Sequence, residues 1–301
     1  MTTFRQGAIV FRMALLLDGR AARDAYKSTL IERIRKLRAA PSLALIQVGD
    51  NRESNIYIEQ KKKFAEGIGA KVEHLHFPAE VEPSAVEEKI RSLNERKDVH
   101  GIIVQLPLPS HFDKQALIET ISPLKDVDGL TNENQELLDK GTPRFIPATP
   151  RGVSLLLEYY SIDVRGKRAV VFGRSRLVGY PLASLLRARG ASVEVCHSKT
   201  PDPKTISTKT DLVFVAIGKP ELIDSSYIKE GAVVVDIGIN SIEGKKLDEE
   251  PPRRKVVGDV LFSDVEPRAK AISPVPGGVG PMTVLSLFDN LILSAEGHIR
   301  R

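Results

Sequence analysis

The sequence predicts an α/β protein of two successive domains, and three observations carry that prediction. Short Val/Ile-rich runs alternate with helical patterns over nearly the whole chain, and regular βαβ alternation implies parallel sheets covered by helices. A Pro/Thr-rich stretch, "IPATP" around residue 148, splits the alternation into two series. The 301 residues suffice for two medium domains, and a chain that is 42% hydrophobic but lacks tryptophan must build aliphatic cores.

The first series opens with a helical pattern over 19–39 and the apolar strand "SLALIQVG" at 42–49. A helix of about 53–67, a strand near 71–77 and a helix near 84–97 follow. "GIIVQLPLP" at 101–109 is apolar on both faces, as a buried parallel strand stopped by prolines should be. "IPATPRGVSLLLEYY" then reads as a linker and a helix, with Thr149 as N-cap and Pro150 in the first turn. In the second series "KRAVVFG" precedes a helix from about Pro181, with Gly190 as its stop. "ASVEVCHS", "DLVFVAIG", "AVVVDIGIN" and "KVVGDVLF" are the next strands, expected in a doubly wound parallel sheet of Rossmann type. A Gly/Pro loop, "SPVPGGVGP", opens a last apolar helix over 281–301. The expected domains are 13–148, onto which that last helix packs back, and 149–280.

Composition narrows the function classes. Lys and Arg number 44 against 39 Asp and Glu, and no arginine-rich or aromatic-interleaved stripe is present, which argues against nucleic acid. The surplus suits anionic small molecules. The single cysteine, Cys196, excludes a disulfide framework, indicates a reducing compartment and reads as a strand residue rather than a nucleophile. No apolar run reaches membrane-spanning length. The opening "MTTFRQGAIVFRMALLLDGR" is interrupted by Arg12 and lacks a small-residue cleavage site, so a cytoplasmic protein is expected. Its first 12 residues precede a more natural beginning at Met13. No metal site is expected.

"VVFGRSRLVGYP" at 170–181 follows a strand and precedes a helix, the place of a dinucleotide phosphate loop. Ser175 occupies the position of the second glycine in Gly173-Arg-Ser-Arg-Leu-Val-Gly179, so the motif gains its weight from the βαβ series around it. The next strand ends in His197-Ser198-Lys199, without the carboxylate that would hold a ribose 2′-hydroxyl. Arg174, Ser198 and Lys199 suit a 2′-phosphate instead, which favours NADP. Gly218 and Gly238, each ending a strand, fit close backbone approach to a bound dinucleotide.

The stretch "SNIYIEQKKK" places one lysine apart from its neighbours. Ser54, Tyr57, Lys61, Phe64 and Ile68 share a helix face, whereas Lys63 neighbours Glu59 and Glu66 and reads as an ordinary ion-pair residue. Lys62 is left without a role. On an apolar face Lys61 either snorkels to water or sits partly desolvated in a cleft, where its pKa falls and it exchanges protons near neutrality. Tyr57 is either core or a ring for stacking a flat substrate. Gln105, ending the buried strand, either caps it or fixes a lysine or substrate oxygen. Asp128, in "PLKDVDGLT", either makes a turn or accepts paired N–H donors from a heterocycle.

Taken together, "VGDNRESNIYIEQKKK", "GIIVQLPLP", "PLKDVDGLT", "TPRGV", "VVFGRSRLVGYP", "CHSKT" and "SPVPGGVGPMT" resemble the bifunctional methylenetetrahydrofolate dehydrogenase/methenyltetrahydrofolate cyclohydrolase family. The resemblance runs from about Asp18 to the C-terminal helix. It implies Lys61 as the catalytic lysine, Tyr57 stacking on the folate, Gln105 assisting the lysine and Asp128 anchoring the pterin, with Ser54 on the same helix. It implies Pro274 to Gly278, Gly277 included, as a loop bordering the folate. For NADP it implies Gly173, Arg174 and Ser175 as the phosphate loop, Ser198 near the 2′-phosphate and Ile239 at the nicotinamide half. A homodimer joined through an edge strand of the second domain is implied, as is a place in the one-carbon metabolism that serves purine biosynthesis. Outside the family, the readings to be weighed are a shikimate-dehydrogenase-like NADP oxidoreductase and a non-catalytic dinucleotide sensor.

Overall fold

Residues 13–243 and 254–297 are described in this computed structural model; the segment before Met13 and the last residues of the 281–301 helix lie outside them. The first series comprises β1 (Leu15–Leu16), α1 (Gly19–Arg35), β2 (Ser42–Val48), α2 (Arg52–Ile68), β3 (Lys71–Phe77), α3 (Pro83–Glu95), β4 (Gly101–Val104), α4 (Lys114–Glu119) and α5 (Asn132–Asp139). The second begins with α6 (Ala148–Tyr159), β5 (Arg168–Phe172), α7 (Gly179–Ala188), β6 (Ser192–Cys196), α8 (Pro203–Ser207), β7 (Leu212–Val215) and β8 (Val233–Asp236). It closes with β9 (Asn240–Glu243), β10 (Arg254–Val257), α9 (Phe262–Val265), β11 (Ala271–Ile272) and α10 (Val279–Ala295).

Three parallel strands form the first sheet in the order β3-β2-β4. The chain leaves β2 for β3 on one side and then β4 on the other, so a crevice opens beyond the carboxyl ends of β2 and β4. The second sheet is parallel throughout, in the order β1-β11-β8-β7-β5-β6, and its reversal lies between β5 and β7. Strands β4, β7 and β8 are buried over their whole length, which is why their sequences are continuous apolar runs rather than alternating ones.

The last helix ties the layers together. Asp289 of α10 receives Arg33 from α1 and Arg151 from α6, and Arg33 also meets Glu296 at 2.8 Å. The Asn290 amide donates to the carbonyls of Val127 and Ile146, both at 2.9 Å. Phe64 of α2 packs on Phe288, ring centroids 5.5 Å apart. At Gly101 a side chain would collide with Leu291 and Val127, so β4 reaches α10 only as glycine.

Three expectations are corrected. "KVVGDVLF" contributes β10, which pairs antiparallel with β9 outside the parallel sheet. Its expected place is taken by β11 and, beyond it, by β1 from the beginning of the chain, two-residue strands too short to carry a periodic signal. Helix α6 starts at Ala148 with Pro147 at its cap; Thr149 lies inside, its hydroxyl accepting from Thr283 at 3.3 Å. Pro150 remains in the first turn, where its missing N–H removes no helical bond. Helix α7 begins at Gly179, two residues before Pro181, and Gly190 follows its end with φ +86° as expected.

Candidate active site

Helix α2 leaves the crevice beyond β2 and aims its inward stripe at the end of β4. Ser54, Phe64 and Ile68 are buried, while Tyr57 and Lys61 are half-buried. Ser54 Oγ donates to the carbonyl of Leu106 at 3.3 Å, fixing the start of the helix to the segment after β4. From the same segment Gln105 donates its amide nitrogen to the Leu106 carbonyl at 2.8 Å, which turns its Oε1 toward Lys61. Lys61 Nζ donates to that oxygen at 2.8 Å. The snorkelling alternative is therefore set aside: the ammonium is directed into the protein. Burial holds its pKa below the ordinary lysine value, and the charge of Asp128 opposes that shift.

Asp128 is prepared by its neighbour. The buried Asp126 accepts from Thr131 N, Thr131 Oγ1 and Asn134 Nδ2, each at 2.8 Å, and Gly129 turns the chain at φ +70°. That anchorage places Asp128 in the field of Lys61. Burial raises its carboxyl to about 6; Lys61 pulls it down and Asp126 pushes it up. Lys61, Gln105 and Asp128 thus form one electrostatically coupled group. The other two lysines differ from expectation: Lys62 pairs with Glu59 at 2.8 Å, one helical turn back, and Lys63 is exposed.

Beside this group lies a cavity of about 660 Å³ lined by Tyr57, Ile239, Pro274, Gly277 and Gly278 together with residues of α1. Lys61, Gln105 and Asp128 do not line it, so Tyr57 is the member of the predicted set that links the two. The 274–278 loop is closed by Gly278 N donating to Pro274 O at 2.8 Å and is joined to α1 by Gly19 N donating to Gly277 O at 2.9 Å. A Cβ on Gly19 would fall 1.7 Å from the Gly278 carbonyl oxygen, so the two backbones meet only because Gly19 has no side chain. Ile239, 50% exposed, offers an apolar wall.

Gly173, Arg174 and Ser175 stand apart from that cavity, at the reversal of the second sheet. Gly173 has φ +113°, and a Cβ there would meet Ala216 O at 2.2 Å; one on Gly179 would meet Gly173 O at 2.2 Å. Ser175 Oγ accepts from the N–H groups of Val178 at 3.3 Å and Gly179 at 3.4 Å, shaping the turn into α7. A backbone this close, feeding a helix N-terminus, fits a pyrophosphate. Arg174, Ser198 and Lys199 are all exposed at the tips of β5 and β6, free to meet a further phosphate, so the residues present fit NADP. Burial pushes the Cys196 thiol up to about 11, as befits a strand residue and not a nucleophile.

Gly218 and Gly238 are also required by the fold itself. Gly218 adopts φ +66°, with open space where its side chain would be, and a Cβ on Gly238 would fall 2.2 Å from the Asp259 carboxyl carbon. Sequence reasoning missed Asp259. It is fully buried and accepts from three successive backbone N–H groups, Ile217, Gly218 and Lys219, and from Asn240 Nδ2, all within 2.9 Å. Asp236 likewise accepts from Gly238, Asp259 and Val260. The signal was an acid inside the apolar run "KVVGDVLF". These two carboxylates set the loops that carry Ile239.

With this geometry in view, comparison with known proteins is direct. The chain is 42% identical over 292 residues to Bifunctional protein FolD 2 of Lactobacillus johnsonii, covering 96% of this chain and all of that protein. The bifunctional methylenetetrahydrofolate dehydrogenase/cyclohydrolase of Campylobacter jejuni superposes with a TM-score of 0.88 at 41% identity, over 95% of this chain and 100% of that one. The Trypanosoma brucei enzyme, solved with NADP and an inhibitor, gives 0.89 at 36% identity over 96% of this chain and 100% of that one. Residues 17–128 match the family description "Tetrahydrofolate dehydrogenase/cyclohydrolase, catalytic domain" and 147–299 its NAD(P)-binding domain. The chain belongs to the tetrahydrofolate dehydrogenase/cyclohydrolase family.

Proposed function

We propose that this chain oxidises 5,10-methylenetetrahydrofolate to 5,10-methenyltetrahydrofolate with NADP and hydrolyses the product to 10-formyltetrahydrofolate. The observation that carries the reading is the half-buried Lys61 amine held at 2.8 Å by Gln105 in the field of Asp128. Asp128 accepts the paired N–H donors of the pterin edge, and Tyr57 stacks on its ring, so the substrate is held in one orientation. Pro274, Gly277 and Gly278 border the folate, with Ser54 holding the active-site helix in place. Gly173, Arg174 and Ser175 hold the pyrophosphate of NADP, Arg174 and Ser198 its 2′-phosphate, and Ile239 the nicotinamide side. When bound, the cofactor supplies the acceptor for the hydride of the methylene bridge.

The methenyl product is a cation, and a lysine with a lowered pKa faces it with less opposing charge than a fixed ammonium. Lys61 takes a proton from the attacking water and delivers one to N5 as the bond from that nitrogen to the bridging carbon breaks; the balance is one proton released. Gln105 aims the amine. The formyl product is a one-carbon donor of the kind purine biosynthesis consumes.

The folate half comprises 13–148 with α10 packed upon it, the nucleotide half 149–280. We place the protein in the cytoplasm, on its lone buried thiol, and pair two copies along β6, whose outer edge has no strand beside it among the described residues. Sedimentation should give twice the chain mass, and a monomer at micromolar concentration would refute the pairing. The function itself is tested by a coupled assay with methylenetetrahydrofolate and both nicotinamide cofactors. Methenyl absorbance should rise and then decay with NADP and be weak with NAD; turnover of hydroxy acids instead would favour the shikimate-dehydrogenase-like reading. In the same assay Ser198→Asp, which sets a carboxylate against the 2′-phosphate, should lower the NADP/NAD preference about tenfold or more, since close like charges cost over 1 kcal/mol. An unchanged ratio would remove Ser198 from the cofactor site.

A further inference from the structure

We propose that α5 sets the folate against the nicotinamide for hydride transfer, with Asn132 and Asp139 as positioning residues; the inference rests on the reading above. In that step the methylene carbon of the folate gives up a hydrogen with its bonding pair to the nicotinamide ring and is left as the methenyl cation. The two reacting carbons are carried by different halves of the chain. Their approach therefore depends on how one half is held against the other, and small misplacements of reacting atoms cost rate steeply.

One side of α5 grips the turn that presents Asp128. Thr131, at its N-cap, binds the Asp126 carboxylate through N and Oγ1, and Asn134 binds it through Nδ2, each at 2.8 Å. Gln135 Nε2 donates to the carbonyl of Gly129 at 2.6 Å. Thr131, Asn134 and Gln135 are buried, and their contacts fall on residues 126 and 129, on either side of Asp128.

The other side of α5 reaches the nucleotide half. Asn132 and Asp139 are two helical turns apart and both exposed, so they share the outer face. Asn132 Oδ1 accepts from Arg176 Nη2, and the Asp139 carboxylate accepts from Tyr180 OH and Ser184 Oγ, both at 3.0 Å. Residues 176, 180 and 184 recur every four positions from the phosphate loop into α7, so the two elements meet along matching faces. The bond to Asp139 holds the Tyr180 hydroxyl above its ordinary pKa, and it stays a donor. Arg176 is the most telling member: it lies two residues after Arg174 in a loop shaped for phosphate, yet its guanidinium is directed at the folate half. From the phosphate loop to the Asp128 turn the path is Arg176, Asn132, Thr131 and Asp126, every step a hydrogen bond or a peptide link. Arg151 with Asp289, and β1 beside β11, join the halves independently. Cutting the α5 contact should therefore leave the halves together but free to shift.

The test is the Asn132→Ala/Asp139→Ala double variant of the full chain. Both positions are exposed and alanine is the best helix former, so α5 should stay formed. At saturating NADP the dehydrogenase kcat should fall about five- to tenfold, and deuterium at the methylene carbon should slow the variant more than the wild type. The cyclohydrolase kcat, measured on methenyltetrahydrofolate supplied directly, and the NADP Kd should stay within about twofold, since neither needs the two ligands aligned. An unchanged dehydrogenase kcat, an unchanged isotope effect, or an equal fall in both rates would overturn the role of α5 while leaving the folate reading intact. Turnover of neither folate by the wild type would overturn both.

Discussion

Lys61→Met is expected to lower the cyclohydrolase rate by about a thousandfold, the scale of a lost general acid–base group, while NADP binding survives. Methionine keeps the length and apolar stem of the side chain and removes only the amine, so the stripe from Ser54 to Ile68 stays packed. What disappears is the group that Gln105 holds at 2.8 Å. The phosphate loop, at the reversal of the other sheet, has no part in that contact. Hydrolysis of the methenyl compound in a stopped-flow, set beside NADP affinity by fluorescence titration, separates the two. Parallel loss of both would show that Lys61 supports the fold and not the proton transfer.

Asp128→Asn should raise the folate KM ten- to a hundredfold, the equivalent of about 1.5–3 kcal/mol for hydrogen bonds to a charged group. In the wild type the same loss should set in as pH falls through about 6, where the Asp128 carboxyl takes up its proton. Stability should move the other way. The carboxyl titrates at about 6 in the folded chain against an ordinary 3.8, so the folded state keeps its proton longer than the unfolded one. Its contribution is full below pH 3.8 and is lost as pH rises to about 6, leaving a buried charge in the neutral protein. Asparagine carries no such charge. Allowing for the partner that Lys61 loses, the variant should be more stable than the wild type by about 1–2 kcal/mol above that window. Denaturant melts at pH 4 and pH 8 would reveal it, and a difference that fails to widen with pH would contradict the buried carboxylate.

Helical spacing alone set Lys61 with Tyr57, Phe64 and Ile68, and that stripe is the one the fold turns inward. Gln105 was legible as a polar end to an apolar strand. Which of its two roles it plays was not, because the lysine it meets is 44 residues away and periodicity describes faces, not neighbours. The same limit hid Asp259, whose partners come from the turn after β7 and from the first residue of β9. Strand β1 was unreadable for another reason: two residues hold no pattern. Thr149 looked like a cap because threonine favours that position, yet Pro147 already supplies the extended backbone a helix start requires.

Asp289 has a bearing on how the molecule is made. The helix carrying it is synthesised after the other described elements, yet it supplies the counter-charge for arginines on two helices translated far earlier and fills the groove that Gly101 leaves open. As the nascent chain emerges, the folate half can gather its strands but keeps an oily seam exposed until α10 clears the ribosome. Two modules can be read along the sequence, but the first of them closes only after the second has been made.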